Sequence, residues 1–220
     1  FNNIIICDRF SYHLITAGFP LNQWNSGVLC YGSEPTAGYD KAIYYESLDD
    51  DYTLRQDDGA RSLFSKIVTQ HVTAIINVPV MKDHGIAGVT LCLKNLAFGA
   101  VNNTQRFHPT PYFCDPASAE VCAYPVLRDK VRLHIVDALQ ACFDGGPASM
   151  KTWTMWNEER LFFGTDPVAI DRIGLEIIDK KRKENNHPLV FQKAKHIATA
   201  EKKGLGVYDR KNIELLELNV

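Results

Sequence analysis

The feature that most limits the fold of this chain is an alternation of two kinds of segment. Short apolar runs rich in β-branched residues, "NIIICD" (3–8), "VTAIINV" (72–78), "VRLHIVDA" (131–138) and "RLFFG" (160–164), are separated by longer stretches with helical spacing. The runs are continuous, as in strands covered on both faces. The stretches "ARSLFSKIVTQ" (60–70), "GVTLCLKNLAF" (88–98), "PVAIDRIGLEIIDKKRK" (167–183) and "PLVFQKAKHIATAEKKG" (188–204) read as helices, the last ending at a glycine suited to a C-cap. "GVLCYGS" (27–33) and "KAIYYES" (41–47) read as strands of a more exposed antiparallel excursion, and "IELLEL" (213–218) as a strand closing the sheet. Strands taking turns with helices predict an α/β layered domain, with a largely parallel central sheet, mixed edge strands and flanking helices. The segments at 72–78 and 131–137 are expected to be parallel to each other and buried.

Size and charge bound the function. A chain of 220 residues, 45% hydrophobic and 23% charged, suits a single domain over 1–220. At this size folding buries about 70% of the unfolded surface, so no metal or disulfide is needed to hold a core. A net charge of -2 and a pI near 6.4 argue against a nucleic-acid or anionic-membrane surface. No apolar run approaches the roughly 18 residues of a membrane span, and no stretch reads as a signal peptide. The chain opens inside a strand-like run without a methionine, as a mature or trimmed form of a longer protein would; periplasmic and cytoplasmic locations both stay open. Its six cysteines contain no C-x-x-C pair, so no iron–sulfur cluster or zinc ribbon can be built from local spacing. Cys92 reads as core; Cys114 and Cys122 would suit a disulfide in an exported protein, but buried or free thiols are the preferred reading. "DDDYTLRQDDGA" (49–60) reads as a solvated loop and "NNTQRFHPTPYFCDPASAE" (102–120) as a long proline-rich one.

In open α/β sheets, ligands sit beyond the carboxyl ends of the strands. Read in order, those ends offer Asp8, then Lys82 and His84, then Asp137, then Asp166. If the strands are parallel these groups converge, with His84 and Asp137 within about 10 Å of one another. Simpler roles compete: Asp8 starts a turn, and Asp137 and Asp166 are suited to capping. Asp171 lies on a nearly all-apolar helix and needs a partner, which a salt bridge, a metal or a site lysine would each supply. Lys82 and His84, two apart, project the same way from an extended backbone, and Gly85 and Gly88 let that backbone approach a ligand. Thr90 and Lys94 are one helical turn apart, with Leu91 and Phe98 beside the lysine. A lysine so enclosed is either paired with a carboxylate or kept for chemistry. Arg106 and His108 stand on the long loop. The set suits a small anionic ligand, or a divalent metal held with carboxylates from other strands.

Three blocks, "NVPVMKDHGIAGVTLCLKNLAFGAV" (77–101), "IVDAL…GGP" and "FFGTDPVAID", resemble the prokaryotic domain-of-unknown-function family three hundred and sixty-two in order and spacing, across most of the chain. That resemblance implies no particular reaction. It does imply relatives that carry or neighbour ferredoxin-type modules, and others with twin-arginine export signals. This chain has no cluster motif, and it lacks the segment that in the family precedes "NIIICD". The polar positions the resemblance carries over are Lys82, His84, Thr90, Lys94, Asn95, Asp137, Asp166 and Asp171. Three functions are open. The first is an enzyme acting on a small anion, with Lys82, His84, Lys94 and Asp137 catalytic, Thr90, Asn95, Arg106 and His108 binding ligand, and Asp137, Asp166 and Asp171 available to a metal. The second is an accessory redox protein working with an iron–sulfur partner. The third is an anion-binding module without turnover.

Overall fold

A computed structural model describes residues 3–23, 27–46, 61–109, 112–148 and 150–219. The elements run β1 (Asn3–Ile6), α1 (Ser11–Thr16), β2 (Gly27–Cys30), β3 (Tyr39–Glu46), β4 (Arg61–Ser65), β5 (Ile75–Asn77), β6 (Val80–His84), β7 (Gly88–Thr90), α2 (Cys92–Ala100), α3 (Ala117–Ala123), α4 (Pro125–Arg128), β8 (Val131–Cys142), β9 (Met155–Gly164), α5 (Pro167–Glu184) and α6 (Lys195–Lys202). The loop expected at 49–60 lies outside the described residues.

β8 organises the main sheet. It pairs in parallel with β5 through Ile76↔Leu133 and Asn77↔His134, and with β6 through Val80↔Asp137 and Lys82↔Cys142. β5 and β6 are two pieces of one strand line, interrupted at Pro79, which has no N–H to give to a ladder; its carbonyl accepts the Asp137 N–H at 2.8 Å. β9 runs antiparallel to β8, and β7 antiparallel to β6. The α/β class therefore holds, with parallel pairings in the middle and antiparallel strands at the edges. β1 and β2 form a small parallel pair, and β3 and β4 a small antiparallel one. The 72–78 and 131–137 segments are parallel, as expected.

Helices cover one face of the sheet. Met81, Val136 and Ala138 point into a core with Leu91, Leu93 and Ala97 of the α2 region, Leu175 and Ile178 of α5, and Ile197 of α6. Each of the larger side chains contributes about 2 kcal/mol by leaving water, and the two alanines less. The approach of α5 to α2 depends on Gly174, where a Cβ would lie 2.6 Å from the Leu91 Cδ1. The other face departs from expectation. Burial alternates along β8, and Ile76 (58% exposed), Leu139 (55%) and Phe163 (62%) stand in solvent. The apolar runs were expected to be buried on both sides, but no described element covers this face. No helix is long and apolar enough to cross a membrane among the described residues.

Other segments also differ from the sequence reading. Residues 60–70 were expected to be helical; the described part, from residue 61 on, forms β4 and enters a single π-helical turn, Ile67–His71. Ser62 and Phe64 are buried at a period of two, and β4 is held by pairing with β3 (Tyr45↔Ser62). The spacing of Leu63, Phe64, Ile67 and Val68 fits a helix equally well, so a partner remote in sequence decides. Residues 80–90, read as loop and first helical turn, form the β6–β7 hairpin. Gly88 has φ +84, and its missing Cβ leaves room for the Ala194 N and Val190 O, each 2.9 Å away from where that Cβ would be. α6 is shorter than the helix expected from residue 188, though Gly204 does follow it with φ +75. Residues 213–218 pair with no strand among the described residues.

Candidate functional site

Pairing in the hairpin puts Lys82 opposite Thr90 and His84 opposite Gly88. Side chains of cross-strand partners share a face, so Lys82, His84 and Thr90 point the same way. α2 follows at once and places Lys94, in its first turn, four residues after Thr90. The Lys94 ammonium is 6% exposed and lies 3.7 Å from the centre of the Phe98 ring. It makes no hydrogen bond or ion pair among the described residues. His108 closes the group: its ring stacks on His84 with centroids 5.5 Å apart and meets Phe98 edge-on at 5.3 Å. Lys82 and His108 are half-buried and form the approach to the interior members.

Hydrogen bonding fixes the state of both histidines. His84 Nδ1 accepts the N–H groups of Ile86 and Ala87 at 3.2 and 3.0 Å. Its proton therefore sits on Nε2, which is a donor. His108 faces the Thr104 carbonyl through Nδ1 at 3.1 Å, so its proton sits there and its Nε2 carries a lone pair. Burial first, then the charges of Lys94, His108, His196 and Lys82, keep His84 neutral down to about 3. Burial, then Lys94, lowers His108 as well. Burial, with Lys82 adding to it, brings Lys94 down to about 8. The neighbouring Cys114 thiol is pushed up to about 11 by burial and stays neutral, so it is no counter-ion.

Residues 41–176 match the family described as domain of unknown function (DUF362). The chain belongs to that family. No curated protein and no solved structure matches it.

Within this DUF362 chain the carboxylates expected at the site go elsewhere. Asp171, wholly buried, accepts the N–H groups of Cys92 at 2.6 Å and Leu93 at 3.0 Å. It caps α2 from α5, one turn before Gly174, and burial raises it to about 7 against those stabilising bonds. Asp166 caps α5 through the Ala169 N–H at 2.8 Å and takes the Val207 N–H at 2.9 Å. Since β9 is antiparallel to β8, Asp166 leaves the sheet at the end opposite to the one expected. Asp137 lies opposite Val80, four residues before His84, which is about 13 Å along a strand. Its carboxylate takes the Leu139 N–H at 3.0 Å. The structure does not bring it to His84. No three His, Cys, Asp or Glu side chains among the described residues are arranged to hold a metal ion.

Asn95 and Arg106 serve the framework. Asn95 donates to Asn77 at 2.8 Å, and the Asn77 amide contacts the Cys92 carbonyl and His134. Arg106, 3% exposed, binds Ser62 and the Tyr45 carbonyl, tying the long loop to the β3–β4 layer. Asp8, in the β1–β2 region, bonds to His13 but is near enough to Lys82 to raise it against its burial. Cys114 and Cys122 are free thiols, and Cys7 alone of the six cysteines is exposed.

One member escaped the sequence reading. His196 on α6 is completely buried, both ring nitrogens lack partners, and Lys94 is the charged group that lowers it after burial itself, to about 3. Its only sequence signal is a histidine on the apolar side of an amphipathic helix, beside Ile197 and one turn before Ala200. The buried Thr90 hydroxyl likewise has no partner.

Proposed function

We propose that this chain is an enzyme that binds a small anion at the Lys82–His84–Lys94–His108 cluster and moves protons on it. The observation that carries the reading is Lys94, an enclosed lysine with no counter-charge among the described residues. Leaving a buried ammonium unpaired costs several kcal/mol, and a bound anion removes that cost. Lys82 supplies a second charge, the His84 Nε2–H a fixed donor, the His108 Nε2 a proton acceptor, and Thr90 a hydroxyl. Metal assistance is a weaker proposal, because Asp137, Asp166 and Asp171 are spent on backbone N–H groups. An iron–sulfur partner would be served by a pair of exposed thiols, and only Cys7 is exposed.

Thermal melts with sulfate, phosphate, and mono-, di- and tricarboxylates test the reading. At least one of these anions should raise the melting temperature at fixed ionic strength and lose that effect in Lys94→Met. If none does so at millimolar concentration, the cluster is not an anion site.

A further inference from the structure

We propose that Lys94 is an amine nucleophile that condenses with the carbonyl of a small 2-oxo carboxylate, Lys82 and the His84 Nε2–H holding its carboxylate. The inference rests on the anion site proposed above and names its substrate class. Three features set Lys94 apart from a lysine that only neutralises an anion. Among the described residues its ammonium has no carboxylate or carbonyl to anchor it, whereas Lys130 and Lys193 donate to the carbonyls of Val68 and Gly85. It lies on the Phe98 ring, a surface that takes no proton and accepts no ordinary hydrogen bond. The His108 ring, whose Nε2 carries no proton, meets the same Phe98 ring edge-on. Support comes from its position near 8, which leaves an appreciable share of free amine at neutral pH.

The step balances without an oxidant. The Nζ lone pair adds to the carbonyl carbon as the C=O π electrons move to oxygen. The nitrogen loses a proton to the His108 Nε2, and the oxygen gains one from solvent, the one proton taken up overall. The hydroxyl of the resulting carbinolamine then takes a proton from the His108 imidazolium and leaves as water, while the nitrogen lone pair forms the C=N bond. One water is released per imine. The protonated imine withdraws electrons from the adjacent carbon, so reactions that develop a carbanion there are the ones such an adduct serves.

The test incubates the full chain with glyoxylate, pyruvate or 2-oxoglutarate plus sodium cyanoborohydride, which reduces an imine to a stable secondary amine, followed by intact-mass measurement and peptide mapping. The expected result is one saturable adduct on Lys94 with at least one of the three, formed at least ten-fold faster than on any other lysine. It should be slowed by lactate, which has the carboxylate but no carbonyl, and be absent in Lys94→Arg. Stabilisation of the protein by lactate or sulfate, with no Lys94 adduct from any of the three probes or with adducts on surface lysines only, overturns the imine and leaves the anion site standing. Failure of every anion to stabilise the protein overturns both.

Discussion

α5 and α2 each bury charge, and they treat it in opposite ways. On α5, Asp171 receives two backbone N–H groups, and Arg182, 6% exposed, donates to the carbonyls of Phe143 and Pro188 and to Asp144, with Asp83 3.6 Å away. Asp83 in turn accepts the Gly146 N–H at 2.7 Å. On α2, Lys94 has only an aromatic ring among the described residues, and His196 and Thr90 hold polar atoms with no partner among them. A fold that fully solvates one set of buried charges with its own backbone is able to do so; the set it leaves open marks where an outside group belongs.

Acid should break the comparison most visibly. His84 and His196 are held down to about 3 and His134 to about 4, against an ordinary 6.5. A lowered histidine contributes stability that is present above 6.5 and is lost as pH falls toward its folded value, because the unfolded chain takes up the proton first. Asp171, raised from 3.8 to about 7, runs the other way: its contribution is complete below 3.8 and is lost as pH rises through 7. His108 is lowered as well, and Asp83 and Asp115 are raised beside Asp171, so four histidines stand against three aspartates and leave a net uptake of protons on unfolding between pH 6 and 4. The chain should therefore lose stability as pH falls from 6 toward 4. A melting temperature that is flat from pH 7 to 4.5 would show that these histidines are not held neutral.

Asp171→Ala comes next. It strands the Cys92 and Leu93 N–H groups inside the core, which should cost about 3–4 kcal/mol in denaturant unfolding. Asp171→Asn keeps one acceptor oxygen and should recover about half. If the aspartate were a site residue and not a cap, the alanine variant would keep its stability and lose anion binding instead.

How this contrast could be read from the sequence is uneven. Lys94 was legible, because a lysine between leucines one turn after a threonine has few ordinary explanations. Lys82 and His84 were legible as a same-side pair whether the segment was called loop or strand, since only an extended backbone was needed. Asp137 and Asp166 were legible as caps or as ligands, and Asp171 as half of a salt bridge, a metal ligand or the partner of a site lysine, but not as a cap. Choosing between those roles requires knowing which helix end lies beside Asp171, and that follows from the close α2–α5 contact at Gly174, not from local spacing. The direction of β9, and hence the place of Asp166, is likewise set by pairing with β8. The β4 strand was misread as helix because its apolar spacing satisfies both periods until β3 is placed beside it.

Lys94→Met should act in the opposite direction from Asp171→Ala. It keeps the length of the stem and removes an ammonium that nothing neutralises, so the ligand-free protein should gain about 2 kcal/mol. The same variant should lose stabilisation by any anion that protects the parent. A loss of stability comparable to that of Asp171→Ala would reveal a counter-charge and place Lys94 with the satisfied set on α5.

His196→Leu is the smallest and sharpest test. Leucine is close to histidine in volume, and the site is wholly buried, so packing should survive. Removing two unpartnered ring nitrogens should then stabilise the ligand-free chain by about 1 kcal/mol. The acid dependence should lose about one proton of its slope, because one of the four lowered histidines is gone. If His196 also faces the bound anion, the affinity of the stabilising anion should fall while stability rises, a combination that no purely structural histidine produces. If stability falls by more than about 1 kcal/mol and the acid slope is unchanged, the ring is making a hydrogen bond in solution. It would then belong with the satisfied groups of α5, and the open cluster around α2 would shrink to the two lysines, His84, Thr90 and His108.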